Sequence, residues 1–234
     1  LLTQKYKNMR ADAFVFYRGS CHLFYQDLPA DSFFAQAPAS WICGDLHLEN
    51  FGCYKADNRR IYFDINDFDE AVLAPCLFDV ARLLTSIVLA AGTLKVNESE
   101  AVKLCQSFTK NYAQTLQAGT AQLMEENLAQ GALKDFLQET ANRKRKDFIN
   151  SRTVKSDGKR RLLIDNKRII QVDTAVKQQV TNAIDSWATA QKNPDFYRVL
   201  DVGYRIAGTG SLGLERYVLL LEGHGKDNHY LLDM

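Results

Sequence analysis

A chain of 234 residues, 46% hydrophobic and 24% charged, has the composition of a globular protein with a buried core, and it is long enough for one large domain or two small ones. Its net charge of +1 excludes a global field drawing the whole molecule to nucleic acid or to an anionic membrane surface, and no run reaches the ~18 apolar residues of a spanning helix. Five cysteines (Cys21, Cys43, Cys53, Cys76 and Cys105) with no C-x-x-C pair argue against a disulfide framework or a zinc site and for a reducing, cytoplasmic setting.

The chain opens on LLTQKYKNMR, with neither an initiating Met nor a cleavable-signal pattern, so a trimmed start is expected. Residues 1–28 read as helical, interrupted at FYRGS (16–20). APAS (37–40) reads as a loop and WICGD (41–45) as a short strand. RRIYFDIND (59–67) alternates apolar and polar side chains with the period of a strand. It is expected to pair with the segment near 51–54 across the turn KADN (55–58). Helical patterning begins near Leu77; a second helix opens with Asn97 and Glu100 at capping-box spacing, and two more helical segments run to about residue 147. Residues 143–168 hold eleven Lys/Arg and three acids. Within them KRRLLIDNKRIIQV (159–172) reads as a hairpin turning at Asp165-Asn166. An amphipathic helix follows over 173–191. Residues 196–234 are strand-rich.

Two acidic segments carry the chemistry. In GDLHLEN, Asn50 follows Asp45 by five residues, the spacing of the kinase catalytic loop. An Asp can orient an attacking hydroxyl and take its proton, and a neutral amide nearby can ligate magnesium without adding repulsion near phosphates. The second segment, FDINDFDEA (63–71), places Asp67-Phe68-Asp69 at the end of the hairpin strand, seventeen residues after Asn50. Kinases carry their main metal-binding Asp there. Plainer readings stand beside these: turn and cap roles for Asp45 and Asn50, a structural role for Asp64, and a loop-pinning histidine rather than a metal ligand at His47. Asp69 is read as a second metal contact or an electrostatic neighbour.

The pair CGDLHLENFG and NDFDEA resembles the HGDLHPGN and IDFDDA motifs of aminoglycoside phosphotransferases, choline kinases and related small-molecule kinases. APCLFDVARLL (74–84) resembles the segment in which those enzymes brace the catalytic loop, a role that falls to Asp79 here. Cys43 stands where the relatives often carry His, so the bracing must differ. FYRG, GDLHLENFG, FDINDFDEA and AGTGSLGLERYVLLLEG together resemble the bacterial domain of unknown function 2252 family, which is grouped with the kinase-like fold; the likeness covers most of the chain. It implies an α+β, protein-kinase-like fold, with a mostly helical catalytic lobe over 1–195 (helical and basic insertion at about 95–195) and a small antiparallel sheet over 196–234. It further implies an ATP- and Mg²⁺-dependent phosphotransferase acting on an unidentified, small-molecule hydroxyl acceptor. Asp45 and Asp79 would be the catalytic-loop residues, and Asn50, Asp67 and Asp69 the metal ligands.

GTGSLG (208–213) lies between two strand-like runs with no helix after it, the setting of a kinase glycine loop rather than of a Rossmann fold. Gly208, Gly210 and Gly213 are therefore the expected phosphate-contacting positions; an ordinary bulged hairpin is the alternative. Glycine loop after catalytic loop reverses the usual order, which implies permuted lobes. A phosphate-anchoring lysine is expected beyond Met234, so the chain reads as cut short. Three rival functions remain. One is a non-catalytic, pseudokinase-type nucleotide-binding module. Another is a metallophosphoesterase suggested by Asp45-Leu46-His47, although His22, His224 and His229 lie in none of that class's motifs. The third is nucleic-acid binding through 143–168, for which a solvated charged surface is the commoner explanation.

Overall fold

The computed structural model describes residues 2–206, 208, 213–224 and 228–234. The protein is mixed α+β with small antiparallel sheets, and it divides into two compact units, Thr3–Asn142 and Arg143–Met234 with Leu2. The expected division at 195/196 falls inside the second unit. The reason is that residues 169–188, assigned by sequence to the first region, belong to the sheet and helix built around 199–234.

The first unit starts with α1 (Leu2–Ala11), α2 (Ala13–Gly19) and α3 (Cys21–Asp27). The Asp12 carboxylate accepts the Val15 N–H at 2.9 Å and caps α2. Residues 16–19 are helical, so the expected interruption narrows to Ser20. Four strands follow: β1 (Ala39–Ile42), β2 (Phe51–Lys55), β3 (Ile61–Ile65) and β4 (Val72–Pro75). Ala39 and Ser40 are in β1, so only the first half of APAS is loop. The strands nest. β2 pairs with β3 in the expected hairpin, and β1 pairs with β4 outside it. They form one antiparallel ribbon interrupted halfway along both arms. Ile42 faces Val72 on one side of the gap and Phe51 faces Ile65 on the other. The interruptions are residues 43–50 and 66–71, the two acidic segments.

Helix α4 (Leu77–Ala91) packs beside this gap, followed by α5 (Glu98–Ala118), β5 (Met124–Glu125, which pairs with β3) and α6 (Gly131–Asn142). The Asn97–Glu100 capping box is present in both directions. Cys43, Leu46, Leu83 and Ile87 form the core beneath the gap, with Leu48, Phe51 and Ile65 packed against them.

The second unit contains α7 (Arg145–Arg152), β6 (Thr153–Ser156), β7 (Lys159–Leu162), β8 (Ile169–Gln171), α8 (Thr174–Ala188), β9 (Val199–Arg205), β10 (Tyr217–Leu221) and β11 (Tyr230–Asp233). The last four strands form an antiparallel sheet in the order β11-β10-β9-β8. β10 is central and buried on both faces, which explains its unbroken apolar run VLLL. Leu219 and Leu221 meet Val180 and Ile184 of α8, whereas Val218 and Leu220 meet Leu162 and Ile169.

The expected hairpin over 159–172 does not form. β7 pairs instead with β6, across Asp157-Gly158, both with positive φ (51° and 72°). Asp-Gly is the stronger hairpin dipeptide, because its turn matches the twist of the strands. Asp165 still makes a turn, its Oδ1 accepting the N–H groups of Lys167, Arg168 and Ile169, but β8 then joins β9. Among the described residues no helix is long and apolar enough to cross a membrane.

Leu220 is wholly buried while Leu214 is 64% exposed. Leu220→Ala is expected to cost about 2–5 kcal/mol through lost contacts and a residual cavity. Leu214→Ala should stay within about 0.5 kcal/mol. Urea unfolding of both variants checks this, and equal losses would contradict the burial on both faces of β10.

Candidate active site

A segment such as Cys43–Asn50 leaves a ladder in the middle of a core, so its peptide groups and charges need other partners. Helix α4 supplies them along one stripe. Asp79, Arg82 and Ser86 are spaced i, i+3, i+7 and so share a face. Asp79 accepts the N–H of Cys43 at 2.8 Å (Oδ2) and of Gly44 at 3.1 Å (Oδ1). Arg82 Nε donates to Asp45 Oδ1 at 2.8 Å, and its Nη2 also reaches that oxygen. Ser86 Oγ accepts the Leu48 N–H at 3.2 Å and donates to the Leu83 carbonyl. Asp79, itself half-buried, makes the backbone contact expected of it.

Arg82 is 0% exposed. Its guanidinium lies 4.3 Å from the ring centre of Tyr17 and 5.2 Å from that of Phe24. Nη2 donates to the Tyr17 carbonyl, and Tyr17 Oη donates back to the Arg82 carbonyl at 2.9 Å. Nη1 is buried and has no hydrogen-bond partner among the described residues. Burial pushes the Asp45 carboxyl above the ordinary range, while the Arg82 charge and hydrogen bonds pull it the other way.

Helices α2 and α3 clamp the segment from the opposite side. Tyr25 Oη and Cys21 Sγ both donate to the Gly44 carbonyl. Burial pushes the Cys21 and Cys43 thiols up to about 12, so they stay protonated. Arg18, from the FYRG motif, pairs with Glu49 and reaches His47 Nε2 at 3.3 Å. The Glu49 N–H meets His47 Nδ1 at 3.1 Å. A neutral imidazole can accept at only one nitrogen, so these two contacts compete. His47 is buried and stacked edge-on to Phe14, and burial followed by the charges of Arg18 and Arg82 lowers its pKa to about 3. It pins the loop as a neutral ring.

The two acidic segments touch because the ribbon's register brings them together. Continuing the β1–β4 pairing sets Gly44 opposite Glu70. With φ of +85°, a Cβ on Gly44 would lie 2.2 Å from the Glu70 carbonyl oxygen, so no other residue fits there. Continuing β2–β3, the Asn66 N–H donates to the Asn50 carbonyl at 2.8 Å. Asn50 is buried, and its Nδ2 donates to the Asp45 carbonyl at 2.7 Å. That commits the amide nitrogen and leaves the side-chain oxygen as the group available to a ligand.

Asp67 and Asp69 are exposed, and the Asp67 carboxylate accepts the Asp69 N–H at 3.2 Å. Glu70 has its pKa raised by partial burial and then by the charges of Asp45, Asp67 and Asp69, which places four carboxylates within one another's field. Asp64 is exposed and bonds its own neighbour's N–H. Among the described residues no group of three or more Asp, Glu, His or Cys side chains is placed to hold a metal. Gly208 and Gly213 are in the second unit, Gly213 with φ of +106°; Gly210 lies outside the described residues. Sequence reasoning missed Arg82, Ser86, Tyr17, Tyr25 and Arg18. For the first two the signal was present, as polar residues at helical spacing from Asp79 inside the apolar run LFDVARLLTSIVLAAG.

Removing Arg82 would strand a partly buried carboxylate. Arg82→Leu is expected to destabilise by about 3–5 kcal/mol, and adding Asp45→Asn should recover part of the loss. Denaturant midpoints of the single and double variants check this, and a single-variant loss under about 1 kcal/mol would contradict it.

His47 also makes stability pH-dependent. Its folded pKa of about 3 lies below the 6.5 of an ordinary histidine, so the unfolded chain binds more protons between those values. Stability is complete above about pH 6.5 and falls toward pH 3 by up to ~1.4 kcal/mol per pH unit. His47→Gln should flatten this slope between pH 5 and 6.5; thermal melting across that range is the measurement.

No curated protein and no solved structure matches the chain. The model of a family described as "Uncharacterized protein conserved in bacteria (DUF2252)" matches residues 1–234. By that match over its whole length, the chain belongs to this bacterial family of uncharacterized proteins.

Proposed function

We propose that the protein is an ATP- and Mg²⁺-dependent phosphotransferase of the kinase-like class, with a hydroxyl-bearing acceptor. The observation that carries this reading is the Asn50 Nδ2 bond to the Asp45 carbonyl. It ties the two key residues of the first acidic segment into one rigid turn and frees the Asn50 amide oxygen. The second segment is held against that turn through Asn66 and Gly44.

The oxygen donors of the two segments are of the type a hard divalent cation takes. The donors are oxygens: the Asn50 amide and the Asp67 carboxylate, with Asp69 and Glu70 adding negative charge nearby. The pKa of Glu70 is raised first by burial and then by the charges of Asp45, Asp67 and Asp69, so those carboxylates lie within its field. Asn50 and Asp67 would hold the ion and Asp69 would support it; when bound, the ion with its nucleotide supplies charge neutralisation at the phosphates.

Asp45 orients the acceptor hydroxyl and takes its proton. Both Arg82 contacts fall on Oδ1, so Oδ2 is the oxygen that can face a substrate. Burial supports basicity by raising the carboxyl's pKa against the pull of Arg82. Asp79 holds the Cys43 and Gly44 amides still, and His47 remains neutral. Gly208, Gly210 and Gly213 would be the phosphate-contacting glycines, following rather than preceding the acidic segments in chain order, with a cytoplasmic nucleotide as partner.

A second reading, a nucleotide-binding module without catalysis, is favoured by the Arg82–Asp45 ion pair, which holds the would-be base in a fixed contact. Asp45→Asn separates the two. In the catalytic reading it keeps nucleotide affinity and lowers ATP turnover ~10²–10⁴-fold. The variant is first shown to be folded by its melting curve, and Asp67→Asn serves as a companion that should weaken Mg²⁺-dependent nucleotide binding. Nucleotide binding with no turnover in the wild type, or turnover unchanged in Asp45→Asn, overturns the catalytic reading.

A further inference from the structure

The second unit holds a cavity of about 310 Å³ between α7 and one end of its four-stranded sheet. The volume lies in the range of small-ligand sites. Ile169, Val218 and Leu231 give it an apolar floor, with the Phe148 ring at its edge. Three arginines line it: Arg152 from α7, Arg168 before β8 and Arg205 at the end of β9. The single acid in the lining is Asp233, which pairs with Arg205 and also takes a contact from Arg216 at 3.1 Å.

The lining therefore carries three positive charges and one negative, a surplus of two. Among the described residues neither Arg152 nor Arg168 forms a salt bridge; Asp165, outside the lining, attracts Arg168 without pairing with it, and Arg152 lies 5.5 Å from the Phe148 ring centre. The positive charges sit close enough to oppose one another: burial, then the charges of Arg216 and Arg152, lowers the pKa of Arg205. Arginines drawn together over an apolar floor, with too few acids to balance them, are stabilised by an anion. Guanidinium groups match phosphate and carboxylate oxygens through paired N–H donors.

We infer that this cavity binds a phosphate monoester carrying an apolar or aromatic body. The dianionic phosphate balances the surplus of two charges on Arg152, Arg168 and Arg205, and the body covers Ile169, Val218 and Leu231. A carboxylate balances only half the surplus, and inorganic phosphate leaves the floor exposed. The inference rests on the second unit alone and stands apart from the phosphotransferase chemistry assigned to Asp45.

Phenyl phosphate is the probe, titrated calorimetrically into the full chain, with inorganic phosphate, benzoate and ATP as comparison ligands. Saturable binding with Kd below ~1 mM is expected, and affinity should fall as pH drops through ~6, where the phosphate takes its second proton. Arg152→Gln and Arg168→Gln should each weaken binding ~10–100-fold with unchanged melting temperature, since neither residue holds an ion pair. Arg198→Gln, which removes the Arg198–Glu222 pair elsewhere in the unit, and Asp45→Asn should leave it unchanged. The inference is overturned by no saturation up to ~10 mM, by equal affinity for benzoate or inorganic phosphate, or by Arg152→Gln and Arg168→Gln binding as the wild type does. Displacement of phenyl phosphate by ATP would also overturn it, because the cavity would then be part of a nucleotide site.

Discussion

The buried guanidinium of Arg82 is the contact on which the acidic segment's geometry depends. An arginine sealed from water must satisfy its charge within the protein, and a single carboxylate, that of Asp45, answers it. The Tyr17 carbonyl and the faces of Tyr17 and Phe24 add to this, while Nη1 has no hydrogen-bond partner among the described residues. Three parts of the chain are locked by this one side chain: α2 with α3, the 43–50 segment, and α4. Asp79 and Ser86 extend the same stripe, so one face of one helix holds the segment from Cys43 to Leu48. The turn formed by residues 43–50 is in effect templated by α4.

The ribbon adds the second constraint. Two acidic segments far apart in sequence become neighbours because each is the gap in one arm of the same antiparallel ribbon. The gaps differ in length, 43–50 against 66–71. The longer arm has room for its short 3₁₀ turn at Leu48–Asn50, which places Asn50 over the Asp45 carbonyl. Gly44 is the point of closest approach, and its missing side chain is what lets the Glu70 backbone lie against the turn.

Features set by neighbours in sequence were legible before the structure. The β2–β3 hairpin follows from strict alternation and the cap of α5 from Asn97 and Glu100, whereas the Asp79 contact, across 35 and 36 positions, was expected through the motif resemblance. Features decided by distant partners were not. Arg82 meets Asp45 across 37 positions; its helical spacing from Asp79 marks the face it shares, but nothing local names its partner. The same holds for Arg18, whose partners lie near residue 48. The misplaced hairpin had a different cause. Asp165-Asn166 and Asp157-Gly158 are competing turn signals nine residues or fewer apart, and the glycine-containing one closes the tighter ribbon. The charge-rich segment was legible as a count, but its arginines become a lining only once β8, β9 and α7 bring them to one end of a sheet.

The sealing of Arg82 also sets how the site responds to dissolved ions. Counterions weaken pairs they can surround, such as Arg60–Glu125 or Arg198–Glu222, whose arginines are 65% and 66% exposed. They cannot enter between Arg82 and Asp45. Ionic strength will thus loosen the periphery of each unit while leaving the posture of Asp45 nearly untouched, so the turn keeps its shape in dilute solution and in concentrated salt alike.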